Sequence, residues 1–321
     1  MRLDIFCLSD KGCVRSGNQD MAGAGLHLIR DGQTSFMHGL GDGKNYFLLI
    51  ADGMGGHQHG EMASSYTLEE LRALIFDGSR DWNNAEQVLT EEILRISTEL
   101  NLKSAGMQLD KPMGCTLTGF VFAGGKILLV NVGDSRSYRL RGGMLRRLTV
   151  DQTIHERDMV PFPQGKAIYS CIGGGISPET VIEDYGSRLL PGDRLLICSD
   201  GLTDMVSEED IEVFLAEGQP SHAGSLLVEH AKAAGGLDNV SVIVADILED
   251  EPEAGVTRQA AAALPAEGGP VCAVASEPEL LPSPDGPDGA GRTEPSSKME
   301  EIPDESGTGL PEISESCDNC Q

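Results

Sequence analysis

Basic residues, aromatics and long apolar runs are what this chain has little of. Of its 321 residues 24 are Lys or Arg, against 51 Asp and Glu, for a formal net charge of −27. A surface this acidic repels phosphate backbones and anionic lipid headgroups, which argues against nucleic acid and membrane as partners. Aromatic residues make up 4% of the chain, so the core must rest on Leu, Ile, Val and Ala. The N-terminus, Met1-Arg2-Leu3-Asp4-Ile5-Phe6, lacks the apolar region of a signal peptide, and no apolar run approaches a membrane span. The expectation is a soluble, cytoplasmic protein. Cys and His at zinc-ligand spacing are missing as well. The eight cysteines form no pairing-like framework and read as reduced, buried thiols. Cys317-Asp318-Asn319-Cys320 has redox-motif spacing, but no strand–helix pattern surrounds it.

What is present is a recurring arrangement of acids at the ends of apolar runs. Tyr46 to Ala51 reads as a short buried strand and runs directly into Asp52-Gly53-Met54-Gly55-Gly56. Asp52 thus sits where a rigid strand stops and a pliant loop begins. For one Asp-Gly alone, a tight turn in which the acid bonds local N–H groups is the better explanation. The arrangement returns, however. Leu195 to Cys198 leads through Ser199 into Asp200-Gly201, and Ile127 to Val132 ends in Gly133-Asp134. Gly236-Leu237-Asp238-Asn239 precedes the apolar run Val240 to Ala245. Four carboxylates at strand ends, with hardly a His or Cys beside them, point to an all-oxygen site for hard cations.

Between these acids the pattern alternates between helices and strands. Gly60 to Asp77 and about Asn84 to Ala105 carry apolar residues at helical spacing, as do Ser207 to Glu217 and Ser221 to Ala234. Ser207 followed by Asp210 is a capping signature for the third helix. Residues 3–8, Arg194 to Cys198 and Val240 to Ile247 read as strands. Leu117 to Phe122, Ile127 to Val132 and Ser137 to Leu140, separated by Gly124-Gly125 and followed by Gly142-Gly143, read as an antiparallel meander. At Glu249 the composition changes. Residues 250–321 hold ten of the sixteen prolines and sixteen acids against three bases, without periodicity. Such a segment cannot bury enough apolar surface to offset its ordering entropy. The expected organisation is therefore a folded domain over 1–249 and an acidic, Pro-rich disordered tail over 250–321, a linker or solubilising segment with docking as the alternative.

Taken in order, seven motifs resemble those of the metal-dependent protein phosphatases, the protein phosphatase 2C group, in a bacterial-type form. They are Arg15-Ser16-Gly17-Asn18-Gln19-Asp20, Asp52-Gly53-Met54-Gly55-Gly56-His57, Gly114-Cys115-Thr116, Asn131-Val132-Gly133-Asp134-Ser135-Arg136, Leu148-Thr149-Val150-Asp151, Ser199-Asp200-Gly201-Leu202-Thr203-Asp204 and Asp238-Asn239-Val240-Ser241. The resemblance spans residues 1–249 and implies an α+β fold. Its form is a four-layer α-β-β-α sandwich, two antiparallel sheets face to face with helix pairs on both outer sides.

It also implies an activity, hydrolysis of phosphoserine and phosphothreonine by attack of a water or hydroxide bridging two ions about 3.5–4 Å apart. By resemblance Asp52 bridges two Mn²⁺ or Mg²⁺ ions, Asp200 and Asp238 complete the first, and the Gly53 carbonyl joins the second. Asp134 with Asp200 holds a third, weaker ion, and Asp20 orients bound water from behind. Arg15 is the expected phosphate clamp, since a planar guanidinium matches phosphoryl oxygens. On so acidic a chain, that site must be made positive locally by the ions and Arg15.

Three departures from the family pattern stand out. Gln19 replaces a common Glu, and Asp151-Gln152-Thr153 stands where Asp-His-Ser is more usual. Met54 takes the place of a His proposed as general acid in many eukaryotic relatives, so His57 and His59 are the nearby alternatives and the proton donor is unassigned. Ile154 to Gly175 corresponds to the family's variable flap, the segment credited with substrate selection. The expected partners are phosphoprotein substrates of a Ser/Thr protein kinase, met by a monomer. Two other functions fit the same motifs: a catalytically silent phosphoprotein-binding signalling module, and a phosphatase dedicated to one regulator protein. A missing metal acid would favour the silent module, and all four acids are present.

Overall fold

The computed structural model describes residues 1–41, 44–161 and 166–249; the tail from 250, with Cys317 and Cys320, lies outside the described residues. In chain order the elements begin with β1 (Arg2–Asp10), β2 (Met21–Ala24), β3 (His27–Ile29), β4 (Gly32–Gly39), β5 (Tyr46–Ala51) and β6 (Gly53–Met54). Two long helices follow, α1 (His57–Ile75) and α2 (Ala85–Gly106), and then β7 (Gly114–Cys115), β8 (Leu117–Ala123), β9 (Lys126–Val132), β10 (Arg136–Arg141) and β11 (Met144–Arg147). The last part runs α3 (Ile154–Asp158), β12 (Ile172–Gly173), β13 (Val181–Asp184), β14 (Arg194–Cys198), α4 (Asp200–Thr203), α5 (Glu208–Leu215), α6 (Pro220–Ala233) and β15 (Val240–Leu248).

Two antiparallel six-stranded sheets result. One has the order β11-β10-β14-β15-β1-β4 and the other β13-β9-β8-β5-β2-β3; a small sheet, β12-β7-β6, lies beside them. The period of two along each strand divides its side chains between two cores. On β5, Leu48 and Ile50 pack with Ile5, Phe120, Ile197 and Ile243 between the sheets. Phe47, Leu49 and Ala51 of the same strand face the other way, onto Leu68 and Leu71 of α1 and Ile93 and Ile96 of α2. In the first sheet Leu196, Val242 and Val244 turn outward onto Ile211 and Leu215 of α5 and Leu227 and Ala231 of α6. Three apolar layers separated by two sheets make the expected α-β-β-α sandwich. Burying one fully enclosed Leu or Ile contributes about 1.5–3 kcal/mol, so the inter-sheet layer alone is a major stabilising term.

Local rules explain some helix starts. Ser207 caps α5 by accepting from the Asp210 N–H, and Pro220 opens α6 at a position where its missing N–H costs nothing. Three expectations are corrected. The meander does not hold: β8 and β9 pair, but β10 belongs to the other sheet, against β14 and β11. The chain turns at Gly133 (φ 100°) and crosses from one sheet to the other at the motif containing Asp134. Helix α1 begins at His57 rather than Gly60, so His57 and His59 lie in its first turn instead of a glycine loop. Of the five cysteines among the described residues, Cys7, Cys115, Cys171 and Cys198 are buried thiols, but Cys13 is exposed.

Candidate metal and phosphate site

The strand ends converge at one mouth of the sandwich. A cavity of about 540 Å³ there is lined by Arg15, Gln19, Asp52, Gly53, Asp134, Lys166, Asp200 and Asp238 among others. Every residue singled out from the sequence as a first-rank site residue is thus brought to one place. Asp20 lies behind them, fully buried.

Each acid is held by its own backbone arrangement. The Asp52 N–H donates to Thr116 Oγ1 at 3.2 Å, the Thr116 N–H returns to the Asp52 carbonyl at 2.9 Å, and Thr116 Oγ1 meets Ser135 Oγ at 2.7 Å. That reciprocal pair is the work of the Gly-Cys-Thr motif. Both Asp-Gly corners need their glycine for space. A Cβ on Gly53 would lie 2.1 Å from the Gly60 carbonyl oxygen, and one on Gly201 would lie 1.9 Å from that of Asn239. Asn239 stitches the first motif to the start of β15. Its Oδ1 accepts from the Gln19 N–H at 2.8 Å, and its Nδ2 donates to the Lys11 and Gly17 carbonyls at 2.9 and 3.0 Å. Asp134 follows the sheet-to-sheet crossing, which Gln152 secures by accepting from the Gly133 N–H and donating to the Glu179 carbonyl, both at 2.7 Å. Gln152, a departure from the family pattern, therefore works as a backbone latch, and Asp151 beside it pairs with Arg136 and Arg147.

Electrostatically the acids oppose one another. Burial first, and then Asp20, Asp200, Asp134 and Asp238, hold the Asp52 carboxyl well above the usual carboxylate range. Burial with the charges of Asp200 and Asp151 pushes Asp134 up to about 7. Asp20 is pushed up to about 6 by burial, although Ser241 and Ser199 hydrogen bonds pull the other way. Ser199 Oγ donates to Asp20 Oδ2 at 2.8 Å, which leaves Asp20 Oδ1 buried without a hydrogen-bond partner. Asp200 Oδ1 is likewise buried and unpartnered, while its carboxyl lies within hydrogen-bonding reach of Asp52. Such crowding is costly for buried acids, and multivalent cations relieve it directly.

Two side-chain cations already face this cluster. The Arg15 guanidinium donates to Asp238 Oδ2 at 2.6 Å and is half exposed. The Lys166 ammonium lies 3.3 Å from Asp200 Oδ2 and bonds Asp204 Oδ2. Among the described residues no three His, Cys, Asp or Glu are already closed around a single ion position. The donor set nonetheless fits hard divalent ions. It is all oxygen, two of its buried carboxylate oxygens lack partners, and its charges repel. Lys166 and Asp204 were not singled out from the sequence; Asp204 lay inside a matching motif, but nothing local paired it with a lysine 38 residues away.

Residues 29–225 match the family model described as Protein phosphatase 2C. The chain belongs to the protein phosphatase 2C family. Asp52, Asp134 and Asp200 fall inside that range, whereas Arg15, Asp20 and Asp238 lie outside it. A Mycobacterium tuberculosis protein, "Serine/threonine protein phosphatase PstP", is 34% identical over 253 residues, covering 75% of this chain and 44% of that protein. The chain thus spans under half the length of this relative. The Listeria monocytogenes "Serine/threonine phosphatase stp" is 28% identical over 260 residues, covering 74% of this chain and 93% of its own length. Among solved structures, the catalytic domain of PstP in complex with two manganese ions is similar at 31% identity and a TM-score of 0.58. That likeness covers 77% of this protein phosphatase 2C chain and all of the PstP domain.

Proposed function

We propose that this chain is a metal-dependent protein serine/threonine phosphatase. The observation that carries the reading is the convergence of Asp52, Asp134, Asp200 and Asp238 from strand ends of both sheets onto one cavity that also presents Arg15. The names of the relatives support it, and the manganese bound in the PstP domain supports Mn²⁺ or Mg²⁺ as the ions. Asp52, Asp200 and Asp238, with the Gly53 carbonyl, are the residues to hold two core ions, and Asp134 with Asp200 a further one. When bound, such ions supply Lewis-acid polarisation of the phosphoryl group and a water acidified enough to attack it.

The chain's own groups do the rest. The Arg15 guanidinium turns from Asp238 to the phosphoryl oxygens and fixes them by paired N–H bonds. Asp20, locked by Ser199, holds the Asp200 side of the site in register from behind. Met54 carries no proton to give, so the leaving oxygen takes its proton from another donor. Substrates are phosphoproteins made by a Ser/Thr protein kinase, met by a monomeric cytoplasmic domain over residues 1–249. Among the described residues no helix is long and apolar enough to cross a membrane. The test is hydrolysis of phosphothreonine peptides by the purified chain. Activity is expected with Mn²⁺ and none in excess chelator; full activity in chelator rejects the reading.

A further inference from the structure

Lys166 is the feature that neither the motifs nor the proposed chemistry uses. It comes from the flap region, well separated in sequence from every acid it touches. Its ammonium lies 3.3 Å from Asp200 Oδ2, bonds Asp204 Oδ2, and acts through space on Asp134 as well. It is nearly half exposed, lines the same cavity as the four acids, and among the described residues shares the cavity wall with one other cation, Arg15. Asp200 also keeps a buried oxygen, Oδ1, with no hydrogen-bond partner. The Asp134–Asp200 side of the cavity thus has two acids, one unfilled acceptor and one monovalent cation that belongs to the chain itself.

We propose that Lys166 is a built-in competitor for the divalent ion drawn to Asp134 and Asp200, and so sets the affinity of that ion. An ion at Asp134 and Asp200 meets the like charge of the ammonium at close range in a partly desolvated cavity, and the ammonium, with Asp204 as a second partner, is the cation free to give way. Entry of the ion therefore displaces the ammonium from Asp200. Asp204 remains as its partner, so displacement costs one charged contact rather than two. Linkage is reciprocal: whatever Lys166 takes from ion affinity, the ion takes from the hold of the site on Lys166. Ion occupancy and the seat of this flap residue then report on each other. This inference rests on the metal-dependent reading above.

Calorimetric titration of Mn²⁺ into the full chain tests it. The binding step to follow is the one that Asp134→Ala removes. Lys166→Met keeps the aliphatic stem and deletes the charge; it is expected to tighten that step roughly tenfold, the size of one charge-assisted contact. Lys166→Arg should keep the wild-type value, and Lys166→Met in an Asp134→Ala background should tighten nothing. A second readout uses the unaltered protein. Acetylation of the Lys166 amine, followed by mass spectrometry, should accelerate once that ion site fills. If Lys166→Met leaves the step unchanged while the other Mn²⁺ steps persist, the competition is rejected and the phosphatase reading stands. An acetylation rate indifferent to Mn²⁺ rejects it equally. Absence of any Mn²⁺ binding by the unaltered chain overturns the metal-dependent reading itself.

Discussion

The Asp52-Gly53 and Asp200-Gly201 corners obey the same local rule and sit in different electrostatic surroundings. Each ends a buried strand, one in each sheet, and each has a glycine because a backbone carbonyl passes where a Cβ would be. At Asp52 the bonded neighbour is the neutral Thr116 hydroxyl, itself tied to Ser135, and among the described residues the only side-chain cation that acts on Asp52 is Arg15, through space and from its bond to Asp238. Asp200 has Lys166 in front and the Ser199–Asp20 hydrogen bond behind. The same placing at a strand end therefore yields one acid with no side-chain cation in contact and one that has Lys166 as a partial counterion. That difference makes Asp52 the more sensitive of the two to loss of metal.

The sharpest way to break the comparison is Asp52→Asn. It removes a charge from the corner with no side-chain cation in contact, and turnover on a phosphothreonine peptide should fall by about 10³-fold while the fold is kept. A circular dichroism melt alongside the assay separates this from unfolding. If Asp52→Asn retains most activity, the corner is a structural turn and the comparison fails. Next in size is Gly201→Ala, which drives a methyl into the Asn239 carbonyl at 1.9 Å. A cost of about 2–4 kcal/mol in stability is expected, read from denaturant unfolding. Arg15→Ala should cost about 2–3 kcal/mol in kcat/KM, since charge-assisted bonds carry about that much. Arg15→Lys should recover part of it, because ammonium cannot copy the fork.

A smaller effect comes from pH in the absence of metal. The folded-state carboxyls are raised, Asp20 to about 6 and Asp134 to about 7. In that case the native state holds protons that the unfolded chain has already lost, so stability falls as pH rises from about 4 through 7. In chelator the melting temperature should drop by several degrees between pH 5 and 7.5, and saturating Mn²⁺ should flatten that slope. A melting temperature in chelator that rises over this window contradicts the crowded-acid account. Least of all is expected from ending the chain at Glu249. The domain should remain folded and hydrolyse a small phosphopeptide at close to the full-length rate, whereas loss of a cooperative melt would mean that residues 250–321 belong to the folded unit.

Strands with continuous apolar runs and helices with regular apolar spacing were legible because burial on both faces, or on one, leaves a periodic mark. β2, β3, β4, β11 and β13 leave little such mark. They are short or have outward faces in water, and β4 alternates half-buried and exposed positions without large apolar residues on each. The placing of β10 was not legible either. A glycine turn between two apolar runs looks the same whether the second strand pairs with the first or crosses to the opposite sheet.

By itself the sequence determined that four acids stand at strand ends, that each Asp-Gly corner has a pliant residue next to it, and that the softer ligands other metals require are not spaced to join them. Those are local facts, set by residue type and by the period of burial. Only the tertiary structure decided that the acids come from two different sheets, that Gln152 latches the crossing, and that Lys166 reaches Asp200 and Asp204. These contacts join residues far apart in sequence. The packing of the two sheets creates them, and neither propensity nor spacing along the chain encodes a distance across that interface.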